Sequence, residues 1–405
     1  MGRAVVERGV VRADALARLL VGTQFAFNVG FFAVLPHLAA HLSGGLGLAG
    51  WLVGVVLGLR TFSQQGMFVV GGALADRFGP RPAVLVGCAL RVLGFGWLAF
   101  ASGTASVIGA VLLIGFAAAL FSPAVESEVA RQALEREQRT GEPRTKLLGT
   151  FHAGGQAGAL IGPVLGALLL GQGFRAVALA GAAVFVVILV GHWFLMPSRE
   201  PVKPPPLTFR GVAGNRAFLL LCLAYGGYLV IYNQMYLTLP AELERATGGQ
   251  AALGWLFALS SVIVVALQVP LSKWAGRALT PAAALRWGLG VLAVGCALPA
   301  LLPATGLTGS VVFVVLLTGG QMLAAPAARA LVPDLVDERL LGTFMGAMSS
   351  LSGLLVLATS APLGAVAEAG GAAMWLGMAV IPLVGVLVVP RRAGSRLSGE
   401  PVASR

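Results

Sequence analysis

Twelve stretches of this chain are apolar for about 20 residues each, the length an α-helix needs to cross the hydrocarbon core of a bilayer. They run over about 16–40, 51–75, 83–103, 106–126, 147–170, 174–195, 215–240, 251–271, 281–301, 309–328, 341–364 and 372–390. No other feature restricts the fold as strongly. A backbone in lipid must satisfy its own hydrogen bonds, and the helix does so within a single segment. With 57% apolar residues, 11% charged and a mean hydropathy of +0.88, the composition lies outside the soluble globular range. The expected class is an all-α integral membrane protein of twelve transmembrane helices joined by short loops. Met1 to Asp14 is polar and leads into a run too long for the apolar region of a signal peptide, so no cleavable signal is expected.

The net charge of +12 would point to nucleic acid in a soluble protein, but its distribution gives another reason for it. Of the 28 Lys and Arg, 24 fall in alternate loops and the two termini. Arg175 and Arg245 occupy the other loops, and Arg60 and Arg91 lie within spans. This is the positive-inside pattern with both termini cytoplasmic, so no nucleic-acid partner is needed. Cys88, Cys222 and Cys296 stand singly in apolar runs, without disulfide or metal spacing.

Met196 to Gly214 carries Pro197, Pro201, Pro204, Pro205 and Pro206 among mixed charges and reads as a cytoplasmic linker. It divides the chain into an N-terminal six-helix bundle (1–195), a linker (196–214) and a C-terminal six-helix bundle with a cytoplasmic tail (215–405). Six is even, so both halves enter the membrane in the same sense, as parallel repeats do. Leu147-Leu-Gly-Thr-Phe151 opens the fifth span and Leu340-Leu-Gly-Thr-Phe344 the eleventh. Pro123 near the end of the fourth span is matched by Pro326 in the tenth. Leu74-Ala-Asp76-x-x-Gly79 has a degenerate partner in Leu271-Ser-Lys273-x-x-Gly276.

Polar side chains at membrane depth are costly and usually turn inward. Gln24 and Asn28 lie one turn apart in the first span, Arg60, Gln64 and Gln65 in the second, and Arg91 in the third. All four tyrosines, Tyr225, Tyr228, Tyr232 and Tyr236, fall on one face of the seventh span, with Asn233 and Gln234 alongside. At 1.5 Å per residue that stripe is about 16 Å long, too deep for an interfacial belt, and is expected to line a cavity. Gly154, Gly158, Gly162 and Gly166 recur every four residues in the fifth span, so another backbone can approach that face. Pro163 adds a kink. All sixteen carboxylates lie in loops or at span ends, with Glu126 and Glu128 at the end of the fourth span. His152, one turn into the fifth span, is a candidate proton carrier. His37 and His41 have no third ligand, and no metal or cofactor is expected.

Between the second and third spans, Gly72-Ala-Leu-Ala-Asp76-Arg77-Phe-Gly79-Pro-Arg81 packs charge and turn residues between two apolar runs. It resembles the signature loop of major facilitator superfamily transporters, with Pro80 where that family usually has a basic residue. Gly158-Ala-Leu-Ile-Gly162-Pro163-Val-Leu-Gly166 resembles the fifth-span pattern of the family's drug/proton antiporters. Leu57-Gly-Leu-Arg60 through Gly66, Gly30-Phe-Phe and Leu90-Arg91-x-x-Gly-Phe95 resemble the MdtH-type multidrug branch, best over the first third of the chain. The fourth span departs from many antiporters, since Leu112 to Ala124 has no basic residue.

The resemblance implies an alternating-access secondary transporter and not an enzyme. The expected activity is proton-coupled efflux of small amphipathic compounds. The alternative is uptake or exchange of a small anionic metabolite, to which Arg60 and Arg91 point. Gln24, Asn28, Arg60, Gln64, Tyr225, Tyr228, Tyr232, Asn233 and Tyr236 are the expected substrate-binding residues. Gly72, Asp76, Arg77, Gly79, Arg81, Gly158, Gly162, Pro163, Glu126 and Arg329 are expected to serve gating, and Glu126 and His152 proton coupling. The expected setting is the plasma membrane, the bacterial inner membrane, with the chain a monomer in contact with the lipid bilayer.

Overall fold

The computed structural model describes residues 2–142, 144–198, 209–303, 305–336 and 341–390; side chains at 2–13, 76, 144–145, 209–211 and 341–343 fall outside that description. Most of the proline-rich linker, the C-terminal tail and Leu340 of the second five-residue repeat therefore lie outside the described residues.

Among the described residues, twelve helices are long and apolar enough to cross a membrane. They are α1 Asp14–Gly45, α2 Gly50–Ala75, α3 Pro80–Phe100, α4 Thr104–Thr140, α5 Lys146–Leu170, α6 Phe174–Leu195, α7 Arg216–Thr247, α8 Leu253–Ala278, α9 Pro281–Leu301, α10 Thr308–Leu331, α11 Phe344–Ala369 and α12 Gly371–Val388. They form two six-helix bundles. Several begin on recognisable caps. Asn215 accepts from the Phe218 amide at 3.0 Å ahead of α7, and Thr280 accepts from the Ala283 amide at 3.2 Å ahead of α9. Pro80 and Pro281 stand in the first helical turn, where no amide donor is required.

Several helices outrun the expected spans, α4 and α7 among them. α4 continues past residue 126 to Thr140, because Glu126–Thr140 contains no Gly or Pro; it stops where Gly141 adopts φ 73°. α7 continues through Pro240 to Thr247, and Gly248 caps it at φ 74°. The overhang of α4 is clamped to its neighbours: Arg139 meets Asp14 at 3.1 Å, and Glu142 meets Arg136 at 3.0 Å and Lys146 at 2.6 Å. Those cations, Lys146 first and Arg136 second, hold the Glu142 carboxyl below its ordinary range.

Small residues set the contact between bundles. A Cβ on Gly54 would lie 2.1 Å from the Ser360 carbonyl oxygen, and one on Gly364 would lie 2.1 Å from that of Gly50. α2 and α11 therefore touch backbone to backbone across the halves, and Val69 against Gly346 carries this contact toward the other end of both helices. At the end of the bundle bearing the α1–α2 and α7–α8 connections, Gly254 of α8 rests on Pro163 and Ala167 of α5. The opposite end, here termed the basic end, carries the α2–α3 and α4–α5 loops.

Candidate functional site between the two bundles

The glycine stripe of α5 packs on α1, within one bundle. A Cβ on Gly158 would lie 2.3 Å from the Phe25 carbonyl oxygen, on Gly162 2.8 Å from Phe32 Cβ, and on Gly166 2.2 Å from the Ala33 carbonyl oxygen. Asn28 reinforces the contact, its amide donating to the Gly155 carbonyl at 2.7 Å, and Gln24 lies against Gly155 beside it. Gln24 and Asn28 thus sit in the contact of α1 with α5.

On the facing bundle, Tyr225, Tyr228 and Tyr236 are only 6%, 8% and 3% exposed, so the stripe faces protein and not lipid. Successive rings stand 5.4, 6.1 and 5.9 Å apart, with the Tyr232 and Tyr236 hydroxyls 3.2 Å from each other. Phe257 of α8 extends the ladder beyond Tyr236, at 5.2 Å. Its two ends meet cations. Arg329 lies within electrostatic reach of Tyr225, and Arg60 of the opposite bundle within that of Tyr232 and Tyr236. Next to Arg60, the Thr61 hydroxyl donates to Asn233 Oδ1 at 3.0 Å, a direct bond between α2 and α7. The Asn233 amide nitrogen is left without a partner among the described residues. Gln234 points elsewhere: it bonds the Val230 carbonyl and the Thr238 hydroxyl inside its own bundle.

Arg60 is 8% exposed, donates to Gln64 Oε1, and holds its guanidinium carbon 4.5 Å from the centroid of Phe31. Arg91 is wholly buried among Phe27, Phe31, Phe95 and Phe185, at 4.5, 5.3, 5.8 and 4.9 Å. None of its three guanidinium nitrogens has a hydrogen-bond partner among the described residues. A desolvated cation gains about 2 kcal/mol from a well-placed ring face, so this aromatic box offsets part of the several kcal/mol that burying an ion costs. Phe95 follows Arg91 by four residues and was readable as its helical neighbour. The other three rings come from α1 and α6, and nothing local in the sequence marks them.

Just past Arg60, α2 widens into a π-turn over Phe62–Gly66 that contains Gln64. Such turns release a carbonyl from the helical ladder. The Gly66 carbonyl accepts instead from Ser350 of α11, at 2.7 Å, a second hydrogen bond across the halves.

At the basic end, Glu126 and Arg329 are both exposed; each lies within the other's field, with His152 also near Glu126, but no ion pair joins the first two. His152 is exposed and therefore not a core packing residue. Pro163 lies at the other end, against α8. In the α2–α3 loop, Gly79 adopts φ 89°, which an L-residue rarely takes, and so lets α2 turn into α3 within one residue. Arg81 donates to the Trp193 carbonyl at 2.8 Å and the Ser198 hydroxyl at 3.0 Å, fastening the loop to the carboxyl end of α6. Arg77 is exposed beside Phe78. The Asp76 side chain lies outside the described set. Gly72 differs from the α5 glycines, for a Cβ there would meet nothing within 4 Å.

The fold matches solved transporters over 92% of this chain. One is a POT family transporter in complex with 5-aminolevulinic acid (TM-score 0.76, 17% identity, 95% of that chain), another the nucleoside transporter NupG (0.76, 15%, 98%). Sequence relatives are nearer. An uncharacterized MFS-type transporter of Mycobacterium tuberculosis (strain ATCC 25618 / H37Rv) is 34% identical, with 99% of this chain and 97% of the relative aligned. Multidrug resistance protein MdtH of Aeromonas hydrophila is 30% identical over 83% of this chain and 84% of the relative. That of Enterobacter sp. (strain 638) is 32% identical over 78% of each. The Major Facilitator Superfamily model matches residues 15–360. The twelve-helix fold, the relatives and that match agree: the chain is a membrane transporter, not an enzyme, and belongs to the Major Facilitator Superfamily.

Proposed function

We propose that the protein exports small amphipathic compounds by alternating access, coupled to protons, with the tyrosine ladder of α7 and the facing Arg60, Gln64, Gln24 and Asn28 as its binding site. The observation that carries this reading is the ladder itself. Phenols in tilted and edge-on contact along one face of α7 offer apolar ring surface and hydroxyls to a ligand of mixed character. Relatedness to the MdtH multidrug resistance proteins supports export. Rigid-body rocking of residues 1–195 against 215–405, joined by the linker, would expose the site alternately to either side.

The packing of α5 on α8 closes the end remote from the basic loops, while Glu126, His152 and Arg329 stand exposed at the other. Read with the basic loops inside, both termini are cytoplasmic and this conformation opens inward. Glu126 and Arg329 then approach when that side closes, and proton binding at Glu126 or His152 weakens the closed contact. The chain acts as a monomer in the bacterial inner membrane.

The test is accumulation of a panel of amphipathic dyes in bacterial cells stripped of their own efflux pumps. Cells making the protein should retain several-fold less dye than controls, and collapse of the proton gradient or Tyr232→Ala should abolish the difference. Equal retention with and without the protein, across the panel, would contradict export.

A further inference from the structure

Arg60 and Arg91 are permanent cations, and neither has a carboxylate neighbour among the described residues. The titratable groups in the field of Arg60 are the Tyr232 and Tyr236 hydroxyls; those of Arg91 are Cys88 and Arg60 itself. One ring, Phe31, lies under both guanidinium groups, at 4.5 and 5.3 Å, so the two like charges are no farther apart than those distances combined. The two sites are solvated differently. Arg91 has four aromatic faces around it, whereas Arg60 has one ring and one glutamine amide. Arg60 also stands on the seam, opposite the phenols, whereas Arg91 is sealed inside its bundle. Beside Arg60, the Asn233 amide is a buried donor with no acceptor. A surplus of buried positive charge, donors without acceptors and no internal counterion are complemented by one kind of group, an anion.

We infer that the Arg60 end of the tyrosine ladder, on the seam between the bundles, is an anion subsite that takes the acidic head of an amphipathic substrate. Arg60 contacts the head directly, with the Tyr232 and Tyr236 hydroxyls and the Asn233 amide as further donors. Arg91 raises the positive potential from behind Phe31 without touching the ligand. The ladder toward Tyr225 holds the apolar body. This inference rests on the reading of the ladder and its facing residues as the substrate site and adds the charge of the cargo. An inorganic anion such as chloride shares the chemistry.

Three probes with one apolar body and different heads separate the cases: 2-naphthylacetate, 2-naphthylethanol and 2-naphthylmethyl-trimethylammonium. They are titrated calorimetrically into the purified full-length protein, alongside sodium chloride alone. The carboxylate should bind at least about tenfold more tightly than the alcohol, as a charge-assisted contact requires. Arg60→Gln should erase that preference, bringing the carboxylate's affinity down to that of the alcohol, in a variant whose Tm matches the parent's. Arg60→Lys should retain most of the preference. Chloride that binds alone and displaces the carboxylate, both lost in Arg60→Gln, would support the same subsite with an inorganic occupant. A carboxylate no tighter than the alcohol, or an ammonium tightest of the three, would overturn the inference while leaving the reading of the substrate site intact. Failure of all three probes to bind would overturn both.

Discussion

A methyl group added at Gly158 would sit 2.3 Å from a backbone oxygen of α1, whereas one added at Gly72 would meet nothing within 4 Å. The two substitutions therefore have opposite consequences. Gly158→Ala overpacks a contact in which the clashing atom is main chain and cannot rotate away, at a cost of about 1–3 kcal/mol. Gly72→Ala gains up to about 1 kcal/mol of helix propensity. Thermal unfolding of the purified protein should give a lowered Tm for the first and an unchanged or raised one for the second. The four-residue spacing made the α5 stripe legible, but only packing shows that its partner is α1 of the same bundle. The tyrosine ladder was legible for a similar reason, since a single helix face carries all four rings. The box around Arg91 was not, because three of its four rings come from segments distant in sequence.

Among the elements, α2 departs furthest from a plain span. Its π-turn at Phe62–Gly66 follows Arg60, contains Gln64, and carries a carbonyl that Ser350 of α11 satisfies. No propensity in Phe-Ser-Gln-Gln-Gly announces a π-turn, since the widened turn is stabilised by a donor nearly three hundred residues away. Ser350→Ala removes that donor, and a polar contact between membrane helices contributes about 0.6 kcal/mol on average and up to about 1.7. The expected result is a Tm lowered by a few degrees at most, with Ser350→Thr close to the parent. No change in Ser350→Ala would mean that the Gly66 carbonyl finds another donor. The overhang of α4 escaped the hydropathy pattern because its last turns are polar; they are held by ion pairs, not by lipid.

At the level of the molecule, the alternation of basic loops and the two groups of six runs carried most of the fold, because lipid leaves a chain few alternatives. Sequence spacing also paired Glu126 with Arg329 through the two prolines, and the structure places them in each other's field at the basic end. If their approach closes that end, Glu126→Arg or Arg329→Glu alone should slow transport, and the double exchange should restore much of it. Normal transport by both single variants would remove the gate from the account. Rocking of one bundle against the other is the central claim, and electron spin resonance distances test it most directly. Cys88, Cys222 and Cys296 are buried, which favours labelling at introduced cysteines. One labelled pair is Thr150→Cys with Ser272→Cys at the basic end, the other Gly171→Cys with Ala251→Cys at the far end. On adding a transported compound, the first distance should shorten as the second lengthens. Two distances that stay fixed, or that change in the same sense, would contradict alternating access.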